Sequence, residues 1–184
     1  MSAKSPRKSA RIAGVFYLLT ILLSVAALLV SGTLGTALLL GSSACYVAVT
    51  VLFYSLFRPV SRNISGLAAI FSLMGCGLSM LDLLRPGSFG VNPLVFFGCY
   101  CLLIGYLILR STFLPRVLGA LMAIGGIGWL TFISPALSAH LLPYNMAPGV
   151  VGESALTLWL LASGVNSRRW QEQARPQPDS PRGA

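Results

Sequence analysis

Four side chains in this sequence have the type and placement to do chemistry inside an otherwise apolar chain. Asp82 and Arg85 stand three residues apart, so on a helix they share a face and can pair. Glu153 lies in a separate apolar run, and His140, the only histidine, in the Pro-bearing stretch before it. Ionisable groups within membrane spans are costly and mark solute paths, proton relays or pairing between helices. Counting turns puts Asp82, Arg85 and Glu153 near one boundary of the apolar zone, with His140 in reach. That grouping suits an outward-facing polar pocket that binds a small solute or shuttles a proton. The plainer alternative is that Arg85 neutralises one or both carboxylates and pins helices together, with His140 an ordinary exposed loop residue.

Glu153 carries the sharper expectation. Leu156, Leu158, Trp159, Leu160 and Leu161 make the rest of its helix strongly apolar. A carboxyl facing lipid there would lack any compensation, so Glu153 is expected to face the bundle interior. It should meet a polar partner from another helix, with Arg85 or a hydroxyl-bearing helix as the source.

Enzyme signatures are missing. Gly152-Glu153-Ser154-Ala155 runs into Leu156 where a nucleophile elbow needs glycine. No H-E-x-x-H and no glycine-rich phosphate loop with lysine is present. No catalytic, cofactor or metal site is therefore expected. Cys45, Cys76, Cys99 and Cys101 all sit inside apolar blocks. Cys99 and Cys101 are two apart and point to nearly opposite sides of a helix, so they cannot jointly grip one metal. They read as small buried hydrophobes.

The elements that must position these residues follow from composition. The 184 residues are 55% hydrophobic and only 9% charged, with mean hydropathy +0.80. A soluble domain carries roughly 25% charged residues, and this chain could not cover its surface in water. Its apolar residues fall in long blocks, which predicts an all-α membrane protein of six transmembrane helices with short loops. The blocks are Ile12 to Val30, Leu34 to Phe57, Ile64 to Leu84, Asn92 to Leu109, Val117 to Ser134 and Gly149 to Val165. The first is too long for a signal-peptide core and reads as an uncleaved helix. Pro93, Pro115 and Pro148 fall at expected helix starts, with Asn92 as a cap before the first of them. The organisation is thus a basic cytoplasmic arm over 1–11, a six-helix transmembrane domain over 12–165 and a disordered cytoplasmic tail over 166–184.

Charge supplies the orientation. The formal net charge is +9 and the pI about 10.0. The cations cluster at the tails and in two loops instead of forming a basic stripe with interleaved aromatics, so no nucleic-acid partner is expected. With the N-terminus inside, the inner segments hold Lys4, Arg7, Lys8, Arg11, Arg58, Arg62, Arg110, Arg116, Arg168, Arg169, Arg175 and Arg182. Arg85 alone is left outside, a strong positive-inside vote for an N-in/C-in topology. Trp129 and Tyr144 read as aromatics of the outer boundary. The expected partners are the lipid bilayer and a membrane protein or a second copy of the chain.

Small residues recur on helix faces. Ser65, Ala68, Ala69, Ser72, Gly75, Cys76 and Ser79 form a stripe on the third span, and Gly119, Ala123 and Gly126 lie on the fifth. Close helix approach explains both, with a lined solute path the alternative for the stripe. A faint repeat is also visible. Tyr54-Ser-Leu-Phe-Arg58 and Tyr106-Leu-Ile-Leu-Arg110 close two spans, and Arg11/Gly14, Arg62/Gly66 and Arg116/Gly119 open three.

Several stretches carry a family resemblance: Ala10-Arg11-Ile12-Ala13-Gly14 with Tyr17-Leu18, Leu56-Phe57-Arg58-Pro59-Val60-Ser61-Arg62, and Gly105-Tyr106 leading to Leu114-Pro115-Arg116-Val117-Leu118-Gly119. Gly152-Glu153 leading to Leu158-Trp159-Leu160-Leu161 completes the set. Together they resemble the bacterial membrane family called domain of unknown function 4386, over most of residues 10–164. The resemblance implies a multi-helix protein of a bacterial inner membrane and brings no established activity. The chain departs from it in having almost no loop between its first two helices. The expected role is a non-enzymatic membrane component that binds a partner or modulates a membrane process. The alternative is a small-solute or proton-coupled transporter using Asp82, Arg85 and Glu153.

Overall fold

The computed structural model describes residues 5–85 and 90–175, and all regular structure among them is helical. The helices are α1 (Pro6–Leu28), α2 (Thr33–Phe57), α3 (Arg62–Leu84), α4 (Leu94–Arg110), α5 (Arg116–Leu130), α6 (Pro135–Leu141), α7 (Ala147–Ala162) and α8 (Ser167–Ala174). A 3-10 turn, Thr131–Ile133, extends α5. Four of them are long and apolar enough to cross a membrane: α1, α2, α3 and α5 with its 3-10 extension. At 17 residues α4 rises about 26 Å, somewhat short of a typical hydrocarbon core. The pair α7 and α8 passes the same test only when joined, and is bent by 103° at the break.

Local chemistry accounts for the boundaries. Pro6 opens α1 at a position whose missing N–H costs nothing, so the helix starts within the expected basic arm and includes Arg7, Lys8 and Arg11. The Asn92 side chain accepts from the Leu94 backbone N–H at 3.0 Å, as its capping role required. Ser61 does the same for Ile64 at the start of α3. Gly164, at φ +67, ends α7 in a left-handed conformation that side-chain-bearing residues avoid.

The tail expected to be disordered from Asn166 onward is instead helical over Ser167–Ala174. Its stability comes from contacts that no apolar pattern announces. Asn166 caps Arg169 at 3.2 Å, and Arg168 pairs with Glu172 at 3.1 Å. Trp170 donates its indole N–H to the Leu56 carbonyl at 2.8 Å, pinning α8 to the end of α2. Residues 1–4, 86–89 and 176–184, including Lys4 and Arg182, lie outside the described residues.

Packing runs α1 on α2, α2 on α3, α3 on α4, α4 on α5 and α5 on α7, and α7 returns to α1, closing the helices into a ring. Its core holds Tyr17, Phe53, Phe57, Tyr100, Met122 and Leu160. Leucine, valine and isoleucine side chains cover much of the outside, among them Leu22, Val51, Ile70, Ile124 and Leu158, a distribution that suits lipid better than water. One end is basic. Arg11 reaches the Ala162 carbonyl at 3.1 Å, and exposed Arg58, Arg62, Arg110 and Arg116 border the same end.

Two kinds of seam hold the ring. Between α4 and α5, Gly98 meets Gly126 and Gly105 meets Gly119. A Cβ on any of the four would come within 3.0 Å of the opposing glycine carbonyl. The small residues of α5 therefore serve close approach, as expected. Between α1, α2 and α3 the groups in contact are hydroxyls. Ser24 bonds Ser42 at 2.8 Å, Ser42 donates to the Thr20 carbonyl at 3.1 Å, and Thr50 bonds Ser72. The stripe on α3 is buried at Ser65, Ala68, Ser72, Gly75 and Cys76, with Gly75 against the Phe97 ring.

Candidate mid-bundle polar site

The site begins with how α7 enters. After α6 the chain folds back so that buried Asn145 donates to the Thr131 hydroxyl at 2.9 Å, and its carbonyl sits against Gly128. α7 therefore starts below the end of α5. Glu153 lies six residues further on, about 9 Å deeper by helical rise. Gly152 touches the backbone at Leu121 and Met122, near the middle of α5, and Gly14 of α1 packs on Leu160 and Leu161. Glu153 is thus level with the middle of the neighbouring helices rather than with their outer ends. The expected boundary position is corrected, because turn counting from Pro148 took no account of this recessed entry.

The half-buried Glu153 carboxyl meets donors from two other helices. Its Oε1 accepts from the Trp129 indole N–H of α5 at 3.1 Å and from the Cys101 thiol of α4 at 3.6 Å. The indole reaches it because Gly149 leaves the space, since a Cβ there would fall 2.3 Å from the ring. The Tyr17 hydroxyl of α1 faces the same carboxyl. The expectation of an inward-facing Glu153 with a polar partner from another helix therefore holds. The partners are an indole, a thiol and the Tyr17 hydroxyl, so the expected hydroxyl-bearing helix contributes, and the indole and thiol stand where Arg85 was the other expected source.

Three buried phenols gather around it. Tyr17 and Tyr46 stack edge-to-face with centroids 5.6 Å apart, and Tyr46 and Tyr100 do so at 5.8 Å. All three hydroxyls are buried; that of Tyr17 lies beside the Glu153 carboxyl and the Tyr46 hydroxyl, and that of Tyr100 has no hydrogen-bond partner among the described residues. Orphaned buried polar atoms are rare in folded proteins and call for an explanation, the more so in the middle of an apolar bundle.

The surroundings differ in the two directions along the bundle. Toward the basic end the rings continue as Phe53, Phe57 and Phe113, at 6.0, 5.7 and 5.9 Å in succession from Tyr17. These are buried hydrocarbon and close that side. Toward the opposite end, one turn along α1 from Tyr17 and one turn along α2 from Tyr46, come Thr20, Ser42 and then Ser24, joined by the hydroxyl bonds above. The site can accept and donate hydrogen bonds, holds one carboxyl, and has hydroxyls one turn away in both directions, Thr157 and the Thr50–Ser72 pair toward the basic end before the phenylalanines, and Thr20, Ser42 and Ser24 toward the other.

The other sequence candidates lie elsewhere. Half-buried Asp82 occupies the last turn of α3 and exposed Arg85 follows it, with its backbone N–H on the Leu81 carbonyl. His140 is exposed in the last turn of α6. Trp129, expected at an interface, and Cys101, expected as an inert hydrophobe, both bond the carboxyl, and Tyr46 and Tyr100 carried no expectation. The one available signal was the concentration of tyrosines at the centres of apolar blocks, away from the boundaries where aromatics usually sit.

The motif pieces turn out to be structural neighbours: Arg11 and Gly14 meet the Trp159–Ala162 end of α7, and Gly105 meets Gly119. Comparison with known proteins fits this. The family described as Domain of unknown function (DUF4386) matches residues 88–164. A relative in Archaeoglobus fulgidus, named as an uncharacterized protein, is 32% identical over 126 residues, covering 64% of this chain and 76% of the relative. No solved structure matches. With those residues matched and its motifs in contact, this chain belongs to the DUF4386 family.

Proposed function

We propose that this chain is a six-span, N-in/C-in protein of a bacterial inner membrane, without catalytic machinery, that handles a small polar solute or protons at the Glu153 site. The observation that carries the reading is one mid-bundle carboxyl beside three buried phenol hydroxyls. A bundle serving only to dock a partner would favour a dry core, as protein interiors generally do. Burying these four groups without an occupant would cost stability and bring nothing. The gathered arginines at one end and Arg85 at the other support the topology.

Thiol chemistry tests it. With Cys45, Cys76 and Cys99 replaced by alanine, Cys101 should react with a small water-soluble methanethiosulfonate applied to right-side-out vesicles. A thiol inert until the protein is denatured would instead mean a dry-packed, partner-binding component. Reporter fusions at Arg58–Arg62, at Arg110–Arg116 and after Trp170 should report cytoplasm, and those at Ala139–Tyr144 the far side. Any one of the inner positions reporting outside would overturn the topology.

A further inference from the structure

We infer that the occupant of the Glu153 site is a proton, exchanged only with the outer side through the hydroxyls of Tyr17, Tyr46, Thr20, Ser42 and Ser24. The inference rests on the reading of Glu153 as a working site and narrows what it binds.

The choice of a proton over a metal cation comes from the donors. A hard cation needs several oxygen acceptors at once. Here Glu153 Oε1 is already taken by an N–H and an S–H, neither of which ligates a hard cation in that role. Among the described residues no group of three or more metal-ligating side chains occurs. What remains is one free carboxyl oxygen and hydroxyls that both donate and accept. An organic cation is disfavoured by the rings, whose edge-to-face contacts at 5.0 to 5.8 Å join Tyr46 to Phe97, Tyr17 and Tyr100.

Direction comes from the asymmetry. The groups facing Glu153 are Tyr17 from α1, Tyr46 from α2, Tyr100 and Cys101 from α4, and the uncharged Trp129 from α5; α7 has no other ionisable residue. No fixed positive charge is among them, so the carboxyl gains its counter-charge by taking a proton. Inward, the hydroxyls of Thr157 and of the Thr50–Ser72 pair reach one turn, and beyond them buried Phe53, Phe57 and Phe113 offer no group that can pass one. Outward, Thr20, Ser42 and Ser24 do. On release, the Glu153 O–H bond breaks as an O–H bond forms at the next hydroxyl or bridging water. That group in turn gives its own proton onward. One proton reaches the outer water, the carboxylate is left behind, and uptake is the reverse.

Dicyclohexylcarbodiimide, which attacks the acid form of carboxyls in apolar surroundings, reads this out in reconstituted vesicles whose inner and outer pH are set separately. A single adduct should map to Glu153 and vanish in Glu153→Gln. Its rate should fall by about tenfold per pH unit on the alkaline limb when the pH at the outer face is raised. It should not respond to the cytoplasmic-face pH, and sodium at fixed pH should not protect. Tyr17→Phe or Ser42→Ala should slow the response to a pH jump at least severalfold while lowering the thermal midpoint by only about 2–4 °C. Indifference of the rate to pH at both faces would overturn the proton, and control by the cytoplasmic face would overturn the outward route. Protection by sodium would replace the proton by a metal cation and leave the Glu153 site standing. Inertness of Cys101 would remove the site itself.

Discussion

Where α4 meets α5, backbone touches backbone through Gly98, Gly105, Gly119 and Gly126; where α1 meets α2, the nearest groups are the hydroxyls of Thr20, Ser24 and Ser42. Both seams join antiparallel apolar helices at the same depth. In lipid there is no hydrophobic drive between helices, so close packing and interhelical hydrogen bonds are the two available sources of attraction. The glycine seam uses the first and leaves no room for water. The hydroxyl seam uses the second and keeps polar atoms in the apolar zone. Glu153 stands between them, with Cys101 from the tight side and Tyr17 from the polar side. Rigid positioning thus comes from α4, α5 and α7, and the proposed access lies along α1 and α2.

The largest effect should come from filling the tight seam. Gly126→Leu puts a Cβ 2.8 Å from the Gly98 carbonyl, where backbone cannot yield, and should cost about 3 kcal/mol. Thermal unfolding in detergent would check it, and a nearly unchanged midpoint would mean the helices are not so close. Next is Trp129→Phe, which keeps the ring and removes the N–H from the Glu153 carboxyl. A cost of about 1–3 kcal/mol is expected for the half-satisfied group, and Glu153→Gln in the same background should recover part of it. Ser42→Ala in the hydroxyl seam should cost only about 1 kcal/mol, because such bonds in membranes are individually weak. Smallest is the outer pair. Asp82→Asn, Arg85→Ala and the double variant should show a coupling of at most about 1 kcal/mol, since Arg85 is exposed.

Sequence and structure agree wherever period and residue size suffice. The boundaries of α2 and α3, the Asn92 cap and the packing role of Gly119, Ala123 and Gly126 were all legible, because each follows from the apolar block or from a local rule. The inward turn of Glu153 was legible too, from the apolar helix around it. Of its partners only the hydroxyl-bearing helix was, through Tyr17. Trp129 reaches the carboxyl only through the gap left by Gly149 on another helix, a relation with no fixed spacing in sequence. Depth was misread because α6 and Asn145 recess the start of α7. α8 escaped notice because its anchor, Trp170 on the Leu56 carbonyl, spans 114 residues.

The central claim is that water reaches the Glu153 cluster and not the glycine seam at the same depth. Water-edited solid-state NMR of the carbon-13-labelled protein in lipid measures this directly, as the rate at which water magnetisation arrives at each carbon. The account predicts fast arrival at the Glu153 carboxyl and the Tyr17 ring carbon bearing the hydroxyl, several times faster than at the α-carbons of Gly105 and Gly126. Equally slow arrival at all four would contradict it and return the molecule to a bundle that is dry throughout.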